Sequence, residues 1–345
     1  MLLGLLHILV IPLFKLAFFL YSLFIFPYDK FFIDFDIISS PGVVKESKFD
    51  IPRLFHHLSP CNRTSCLPKH WVQSFRSCLF FHPEPEFTHK LWTDESMKEF
   101  MTNEYPSWSY LMEDFNSVNK NGYTWNIQKI DIFRYFILYN QGGVYIDLDV
   151  GCKSSIDSLV WPDKRGGIYT FGNRSMIAES VLFLPKTEPF GVSNDFIAST
   201  PSHPFLRLAI QLLPAYMWTF PYRGWFKGVE VLCSTGPAFL DMVVLAYASS
   251  YGFNSNISHS LFIIPDPYYS GRSRKSFFFH VYGSSWHSWD SKVLNWCWQN
   301  KSTLLTIIIM ACFLSYSTYK SLCGAFYFRR RHQRKFTKFI DIEIT

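Results

Sequence analysis

The chain has 345 residues, of which 48% are hydrophobic, 19% aromatic and only 17% charged. Charged residues make up about a quarter of an average soluble protein, so this composition indicates segments embedded in lipid. The formal net charge is +6. The length is ample for one large domain and leaves little room for two independent ones.

The first 26 residues are nearly all apolar and are interrupted only by His7 and Lys15. A helix of about 20 apolar residues spans a bilayer. The run lacks the basic start and the small-residue cleavage site of a secretory signal. We therefore predict an uncleaved transmembrane anchor over residues 1–26, followed by a polar linker over residues 27–50.

Strand-like and helix-like segments alternate through residues 51–300, which favours an α/β domain on a parallel or mixed sheet. The first strands are predicted at Ile51–His57 and His89–Asp94, and short helices at Trp71–Cys78 and Glu95–Glu104. Farther along, Phe205–Phe220 is aromatic and amphipathic. It fits a core helix better than a helix lying on the membrane, although that alternative stays open.

A helix followed by a strand carries the acidic motif of the chain. Apolar residues recur at helical spacing over Ile127–Tyr139, and Gly142–Gly143 ends that helix. The next segment, Val144–Val150 (VYIDLDV), is predicted to be a strand. Residues two apart on a strand point the same way, so Asp147 and Asp149 are expected to project together from one face.

Two neighbouring carboxylates repel each other unless a cation lies between them. Their hard oxygens suit Mn²⁺ or Mg²⁺, and such a cation helps a diphosphate to leave. An isolated Asp-x-Asp sequence is more often a turn or a solvated strand end. Asp131 and Arg134 share a face of the preceding helix, where they either join Asp147 and Asp149 or form a surface ion pair.

The cysteines do not have the spacing of a zinc site. Two of the eight, Cys312 and Cys323, lie in an apolar run near the C-terminus. Cys61 and Cys66 are close enough in sequence for a local disulfide, which requires an oxidising lumen. The alternative is that the cysteines outside the apolar run are small buried thiols.

The second apolar run covers residues 301–328 and is predicted to be a transmembrane helix. A basic cluster follows it, formed by Arg329, Arg330, Arg331, Arg334, Lys335 and Lys338. Its position favours a cytosolic tail, residues 329–345, over a nucleic-acid site. The domain between the two spans is then luminal, where glycosylation is expected at Asn62, Asn173 and Asn256; Asn300 lies too close to the bilayer.

The segment IQKIDIFRYFILYNQGGVYIDLDVG, residues 127–151, resembles the sugar-binding core of DXD glycosyltransferases. Three further segments, Ser193–Phe205, Thr235–Pro237 and His280–Asp290, resemble other motifs of that family. With two flanking membrane segments, the chain resembles in particular the fungal inositolphosphorylceramide mannosyltransferases. The resemblance implies an α/β, Rossmann-like GT-A domain between N- and C-terminal transmembrane helices.

The resemblance also implies residue roles. Asp147 and Asp149 bind the metal and the diphosphate, and Asp131 and Arg134 contact the donor sugar. The remaining candidates are Gly142, Gly143, Tyr145, Gly283, Ser284 and Trp286 for the donor pocket, His280 or His287 for the metal, and Asn194, Asp195 and His203 for the acceptor. Each histidine is equally well explained as a packed structural residue. Related transferases stack an aromatic residue on the base just after the first strand. Leu58-Ser59-Pro60 stands there, and Trp92 or another aromatic residue is the candidate substitute.

The function so implied is transfer of mannose, with retention, from GDP-mannose to the inositol of inositolphosphorylceramide. It would depend on Mn²⁺ or Mg²⁺ and take place at the membrane of the Golgi or the endoplasmic reticulum, with or without a regulatory membrane subunit. No nucleic acid partner is expected. One alternative is a Golgi α-mannosyltransferase acting on protein-linked glycans, a class that usually has one membrane anchor. The other is a non-catalytic regulatory membrane subunit of a transferase.

Overall fold

The computed structural model describes residues 51–61, 63–113, 123–161, 168–171, 174–177, 180–187, 191–219, 226–251, 259–281 and 289–300. The predicted membrane segments 1–26 and 301–328, the linker 27–50 and the tail 329–345 lie outside these residues. So do seven of the predicted site and glycosylation residues, namely Asn62, Asn173, Asn256, Gly283, Ser284, Trp286 and His287.

Strands and helices alternate along most of the described chain. The strands are β1 (Leu54–Leu58), β2 (Thr88–Trp92), β3 (Gly143–Ile146), β4 (Val150–Cys152), β5 (Ile168–Phe171), β6 (Arg174–Ile177), β7 (Ser180–Pro185), β8 (Phe196–Ser199), β9 (His259–Ile264) and β10 (Phe278–His280). The helices are α1 (Lys69–Phe81), α2 (Asp94–Glu104), α3 (Asn126–Gln141), α4 (Asp157–Val160), α5 (Pro204–Thr219), α6 (Lys227–Ser234), α7 (Pro237–Tyr251), α8 (Asp266–Tyr269) and α9 (Trp289–Gln299), with 3₁₀ turns at Thr64–Cys66 and Pro106–Met112.

Six of these strands form one mixed sheet in the order β2-β1-β3-β8-β7-β9. Strands β2, β1 and β3 run parallel, as do β7 and β9, whereas β8 runs antiparallel to both of its neighbours, β3 and β7. Two small antiparallel pairs, β10 with β4 and β5 with β6, lie outside this sheet. The predicted α/β domain on a parallel or mixed sheet is therefore confirmed.

The sheet is buried on both sides. Helices α3, α5 and α7 contribute to one apolar cluster, which includes Phe133, Phe205 and Leu240. A second cluster contains Phe55, Val144 and other side chains that alternate with those of the first along the strands. Each large apolar side chain buried in this way stabilises the fold by about 1.5–3 kcal/mol. Helix α5, which covers all of the predicted segment that the structure describes, is thus a core helix, as the preferred interpretation had it.

Glycines 142 and 143 turn the chain from α3 into β3. Gly142 follows the last residue of α3 with φ +65°, and Gly143 has φ +94°, a region that other residues rarely adopt. A Cβ on Gly143 would lie 2.3 Å from the carbonyl oxygen of Leu54. These glycines therefore let β3 begin directly against β1. The carboxylates that follow β3 then lie at the C-terminal end of a central strand.

The predicted strand Val144–Val150 is wrong in its second half, because the sheet strand ends at Ile146. The backbone N–H of Asp147 donates to the carbonyl of Asp195 (2.8 Å), and that of Val150 donates back to Asp147 (3.0 Å), which closes a turn. Asp147 and Asp149 are therefore presented by a turn and not by strand alternation. Leu148, between them, is buried in a small apolar cluster and fixes the turn to the fold.

Two disulfides lie near this turn: one packs against the cluster that contains Leu148, and the other includes Cys152, three residues after Asp149. Cys61 is bonded to Cys66, the local pair that the sequence allowed. Cys78 in α1 is bonded to Cys152 in β4, with their Cα atoms 4.8 Å apart; this pairing was not predicted. The second bond ties α1 to the strand that begins immediately after the Asp147–Asp149 turn.

One described stretch, Lys227–Ser249, is long and apolar enough to cross a membrane, and 67% of its most apolar window is buried within the fold. It comprises α6 and most of α7, which pack against each other and against α5. The chain divides into two compact units, residues 1–290 and 291–345. Residues 291–300 are the described part of the second unit, and 291–299 of them are helical.

His56 in β1 makes stability dependent on pH. Its Nδ1 accepts a hydrogen bond from the indole of Trp92 (3.1 Å), so its Nε2, 2.9 Å from the carbonyl of Gly142, carries the proton. Burial lowers the pKa of His56 to about 4. Since an unfolded histidine titrates near 6.5, this neutral ring costs nothing above that pH, and stability is lost as pH falls from about 6.5 to about 4.

We expect His56→Gln, which cannot titrate, to remove that part of the acid sensitivity. The comparison must be a difference between variant and wild type, because buried carboxylates with raised pKa values act in the opposite direction. Urea unfolding at pH 7.5 and pH 5 measures it. The wild type should lose about 1–3 kcal/mol more than the variant over this range; equal losses would contradict the assignment.

Candidate active site

Asp131 and Arg134 form a buried ion pair on α3. Nη2 of Arg134 lies 2.8 Å from Oδ1 of Asp131, and the two side chains are 2% and 5% exposed. The alternative of a surface ion pair is therefore wrong. Residues 131–138 of α3 are all buried, over more than two turns of the helix, so a charged pair is stable here only because further polar groups surround it.

Asp147 is the next member of the network. Its Oδ2 lies 3.6 Å from Nη1 of Arg134, and its Oδ1 accepts a hydrogen bond from the hydroxyl of Tyr145. The ring of Tyr145 lies under the guanidinium of Arg134, 4.5 Å from ring centroid to Cζ. Tyr145 thus forms part of the floor of the site, and Asp147, with 29% of its side chain exposed, connects the buried pair to solvent.

Asn194 and Thr235 donate further hydrogen bonds to Asp131. Nδ2 of Asn194 donates to Oδ1 of Asp131 (3.0 Å), and Oγ1 of Thr235 donates to Oδ2 (2.9 Å). The backbone carbonyl of Asn194 also accepts from Nη1 of Arg134. Asn194, predicted as an acceptor contact, is bonded to both members of the ion pair. Thr235 belongs to a motif noted in the sequence, but its role was missed because its partner is 104 residues away.

The carboxylates of this site have raised pKa values. Burial raises the pKa of Asp147 to about 6; Arg134 opposes the rise and Asp195 adds to it. Burial, followed by the charges of Asp147 and Asp195, raises the pKa of Asp149 to about 7. Burial also raises the pKa of Asp131, although the charge of Arg134 opposes the rise. Three carboxylates that face one arginine make a positive ligand favourable.

The residues present fit a divalent cation. Within the part of the chain that the structure describes, no three His, Cys, Asp or Glu side chains are grouped to hold a metal. Mg²⁺ and its analogues commonly need only one or two protein carboxylates when phosphates of the substrate supply the remaining oxygens. Asp147 and Asp149, partly exposed and with raised pKa values, match that kind of site.

The structure does not bring the ring of His280 to the carboxylates. Strand β10 does lie beside the acidic turn, since the N–H of Val281 donates to the carbonyl of Asp149 (2.8 Å). The ring of His280 turns away, with its Nε2 3.1 Å from the carbonyl of Tyr269. His280 therefore lies on a strand beside the acidic turn without its ring contacting the carboxylates, and the competing candidate, His287, lies outside the described residues.

Two other predicted site residues lie in the core. His203 is fully buried, and its Nδ1 accepts from the N–H of Phe205 at the start of α5 (3.1 Å), which is a structural position. Trp92, the candidate for stacking on a base, is 3% exposed and packs against Phe100 and Phe133. Trp92 is therefore not available to a nucleotide, and the prediction that it substitutes for the missing aromatic residue is wrong.

Comparison with known proteins decides the family. Residues 68–166 match the family described as "Glycosyltransferase sugar-binding region containing DXD motif". The chain is 35% identical to inositol phosphoceramide mannosyltransferase 1 of Schizosaccharomyces pombe, over 87% of this chain and 79% of that protein. The chain belongs to the DXD glycosyltransferase family. It is an enzyme of the hexosyltransferase class.

Other members of the DXD family are similar over much of the chain. A mannosyl phosphorylinositol ceramide synthase of Saccharomyces cerevisiae, SUR1, is 33% identical over 79% of this chain, which spans 62% of that protein. Among solved structures, PaToxG glycosyltransferase has a TM-score of 0.38 and 14% identity, covering 70% of this chain and 78% of that one. The DXD of the family description corresponds to Asp147-Leu148-Asp149.

Thr235→Val tests the hydroxyl that completes the DXD glycosyltransferase network. Valine keeps the shape of threonine but leaves Oδ2 of Asp131 without this donor. A buried acceptor that loses its partner costs about 1–3 kcal/mol. We expect the free energy of unfolding to fall by that amount, measured with urea. Ser249→Ala, on the exposed end of α7, is the control and should change stability by less than about 0.5 kcal/mol.

Proposed function

We propose that this enzyme transfers mannose from GDP-mannose to the inositol of inositol phosphoceramide. The observation that carries the proposal is the acidic turn Asp147–Asp149, which is backed by a buried Asp131–Arg134 pair in a chain 35% identical to a protein named for this activity. The turn supplies the two carboxylates that a metal-bound diphosphate requires, and the pair behind it fixes their position.

Asp147 and Asp149 are the residues that would hold the cation, which we propose to be Mn²⁺ or Mg²⁺. The bound cation would neutralise the charge that develops on the departing diphosphate. Arg134 orients Asp147, and Tyr145 donates a hydrogen bond to it, so the carboxylate is held ready before the donor arrives. Such preorganised charges cost little rearrangement during the reaction.

Contact of Asp131 and Arg134 with the donor sugar stays a proposal. The inositol hydroxyl would attack the sugar from the face that the diphosphate leaves, with retention of configuration. In that course the departing phosphate accepts the proton, and no dedicated base is needed. The negative charge of Asp195 raises the pKa of both Asp147 and Asp149. It would therefore favour binding of a cation at these two carboxylates.

The acceptor carries a phosphate, and basic residues are exposed on the loop that leads into β10, the strand whose end lies beside the acidic turn. Arg272 and Arg274 are exposed on the loop between α8 and β10. Nζ of Lys153, which follows β4, donates to the carbonyl of Gly271 in that loop (2.6 Å). We assign to this loop a contact with the acceptor phosphate. Arg272→Ala with Arg274→Ala should raise KM for the lipid about 10-fold and leave KM for the donor unchanged, whereas Lys98→Ala on α2 should change neither.

The finer architecture belongs to the same proposal. The mixed sheet, in which β8 alone among its strands is antiparallel, followed by the small β10–β4 pair, is consistent with a GT-A domain. Flanking transmembrane helices at residues 1–26 and 301–328 would hold it in the lumen of the Golgi or the endoplasmic reticulum, close to a lipid acceptor. The disulfides Cys61–Cys66 and Cys78–Cys152 support an oxidising compartment. Endoglycosidase sensitivity of wild type, compared with variants at Asn62, Asn173 and Asn256, tests the luminal placement.

A donor and acceptor screen tests the function. The full chain, purified in detergent, is incubated with GDP-mannose, UDP-glucose or UDP-galactose, with Mn²⁺ or EDTA, and with inositol phosphoceramide or a mannosylated glycan. We expect a mannosylated lipid only with GDP-mannose and metal. A mannosylated glycan as sole product would favour the Golgi glycan enzyme. Failure to bind any nucleotide in the presence of metal would favour a regulatory subunit and overturn the proposal.

A further inference from the structure

The loop that carries Asn194 and Asp195 is held by a carboxylate that lies outside the site. Asp241 lies in α7 and is 1% exposed. Its Oδ2 accepts from the N–H of Gly191 (3.0 Å), and its Oδ1 accepts from the N–H of Val192 (3.0 Å). A buried carboxylate on a predominantly apolar helix is costly unless such charge-assisted hydrogen bonds compensate, so this contact needs a reason.

The residues after these two amides enter the active site directly. The N–H of Ser193 donates to the carbonyl of Pro185 at the end of β7 (2.9 Å). Asn194 then contacts Asp131 through its side chain and Arg134 through its carbonyl, and the carbonyl of Asp195 accepts from the N–H of Asp147. A shift of the loop at residues 191–192 would therefore move three contacts of the ion-pair network together.

The same helix region reaches the network a second time. Thr235 lies six positions before Asp241, at the junction of α6 and α7, and donates to Oδ2 of Asp131. One end of this region thus holds Asp131 itself, and the other holds the loop that brings Asn194 to Oδ1 of the same carboxylate. Displacements of about 1 Å at such contacts can change rates up to about 100-fold.

We propose that Asp241 is a positioning residue, which acts on catalysis through the 191–195 loop and Asn194. This role rests on the proposed function, in which the Asp131–Arg134 network positions the catalytic carboxylates. If Asp241 has this role, its loss must lower kcat of the folded enzyme through the same contacts as the loss of Asn194.

The test is a double-mutant cycle with Asp241→Asn and Asn194→Ala. Asparagine matches the size of aspartate but can accept only one of the two N–H groups. We expect Asp241→Asn to lower kcat about 10- to 100-fold, with the affinity for GDP and metal within about 2-fold of wild type. The double variant should be within about 3-fold of Asn194→Ala alone, since two residues on one route do not add.

Val243→Ala is the matched control, because Val243 is a fully buried core residue of the same helix. It should lower the melting temperature without lowering kcat of the folded enzyme. If Asp241→Asn lowers the melting temperature but leaves kcat within 2-fold of wild type, or if its effect multiplies fully with that of Asn194→Ala, Asp241 has a structural role only and the proposal fails.

Hydrogen exchange gives a reading that does not depend on activity. In the wild type the amides of Gly191 and Val192 should be protected about as well as those of the core helices. In Asp241→Asn they should exchange at least about 10-fold faster. Unprotected amides in the wild type would overturn the proposal. A wild type that transfers no sugar would instead overturn the proposed function, and exchange alone would then decide the role of Asp241 in fixing the loop.

Discussion

Asp147→Asn should reduce sugar transfer by about 100- to 1,000-fold or more while the protein remains folded. Asparagine keeps the volume of aspartate and can still accept the hydrogen bond from Tyr145, but it removes the charge that faces the cation. Loss of a single preorganised electrostatic group costs about 100- to 1,000-fold in other enzymes. A carboxylate that holds a metal should be no less important.

Stability should separate a lost ligand from a damaged fold. Burial raises the pKa of Asp147 to about 6, whereas an unfolded aspartate ionises near 3.9. Without a cation, its charge therefore lowers stability as the pH rises from about 4 to about 6, and the loss persists at higher pH. Asp147→Asn should then be at least as stable as wild type at pH 7.5 without metal. With Mn²⁺ and GDP the melting temperature should rise for wild type and Glu99→Gln, an exposed control on α2, but not for Asp147→Asn. A normal turnover number in Asp147→Asn would contradict the assignment.

Arg134→Met is expected to cause the largest loss of stability. Its guanidinium neutralises Asp131 and Asp147 at a position that is 2% exposed. Removing one partner of a buried ion pair costs about 3–5 kcal/mol, because the remaining charge is left without compensation. The free energy of unfolding, measured in urea at pH 7.5, should fall by that amount, and transfer should be lost.

A second substitution tests the reason for that loss. Asp131→Asn in the Arg134→Met background removes one stranded charge and should restore part of the stability. Glu86→Gln breaks the exposed pair between Glu86 and Arg53 and should cost less than about 1 kcal/mol. If Arg134→Met costs no more than Glu86→Gln, the buried network does not stabilise the fold as described.

Local patterns were sufficient to predict the framework around the site. The helical spacing of apolar residues in α3 and the following Gly142–Gly143 pair correctly gave a helix, a tight turn and a strand. The apolar run before the carboxylates gave β3. Each of these features is determined by neighbours in sequence, through side-chain periodicity or through backbone angles that only glycine adopts easily.

The end of β3 could not be predicted in this way. Val144–Val150 alternates as a strand should, yet the strand ends at Ile146, because the N–H of Val150 donates to the carbonyl of Asp147 and closes a turn. The contacts of Asp131 with Asn194 and Thr235 and the Cys78–Cys152 bond join residues that are 63 to 104 positions apart in sequence. Spacing alone identified the acidic residues and did not identify the groups that fix them.

Binding of Mn²⁺ tests the central claim most directly. Electron paramagnetic resonance can follow free Mn²⁺ as it is titrated into the full chain with GDP, for wild type, Asp147→Asn, Asp149→Asn and Glu99→Gln. We predict one Mn²⁺ per chain for wild type and Glu99→Gln, and a loss of affinity of at least about 10-fold in either aspartate variant. Equal Mn²⁺ affinity in all four proteins would show that the Asp147–Asp149 turn does not hold the cation.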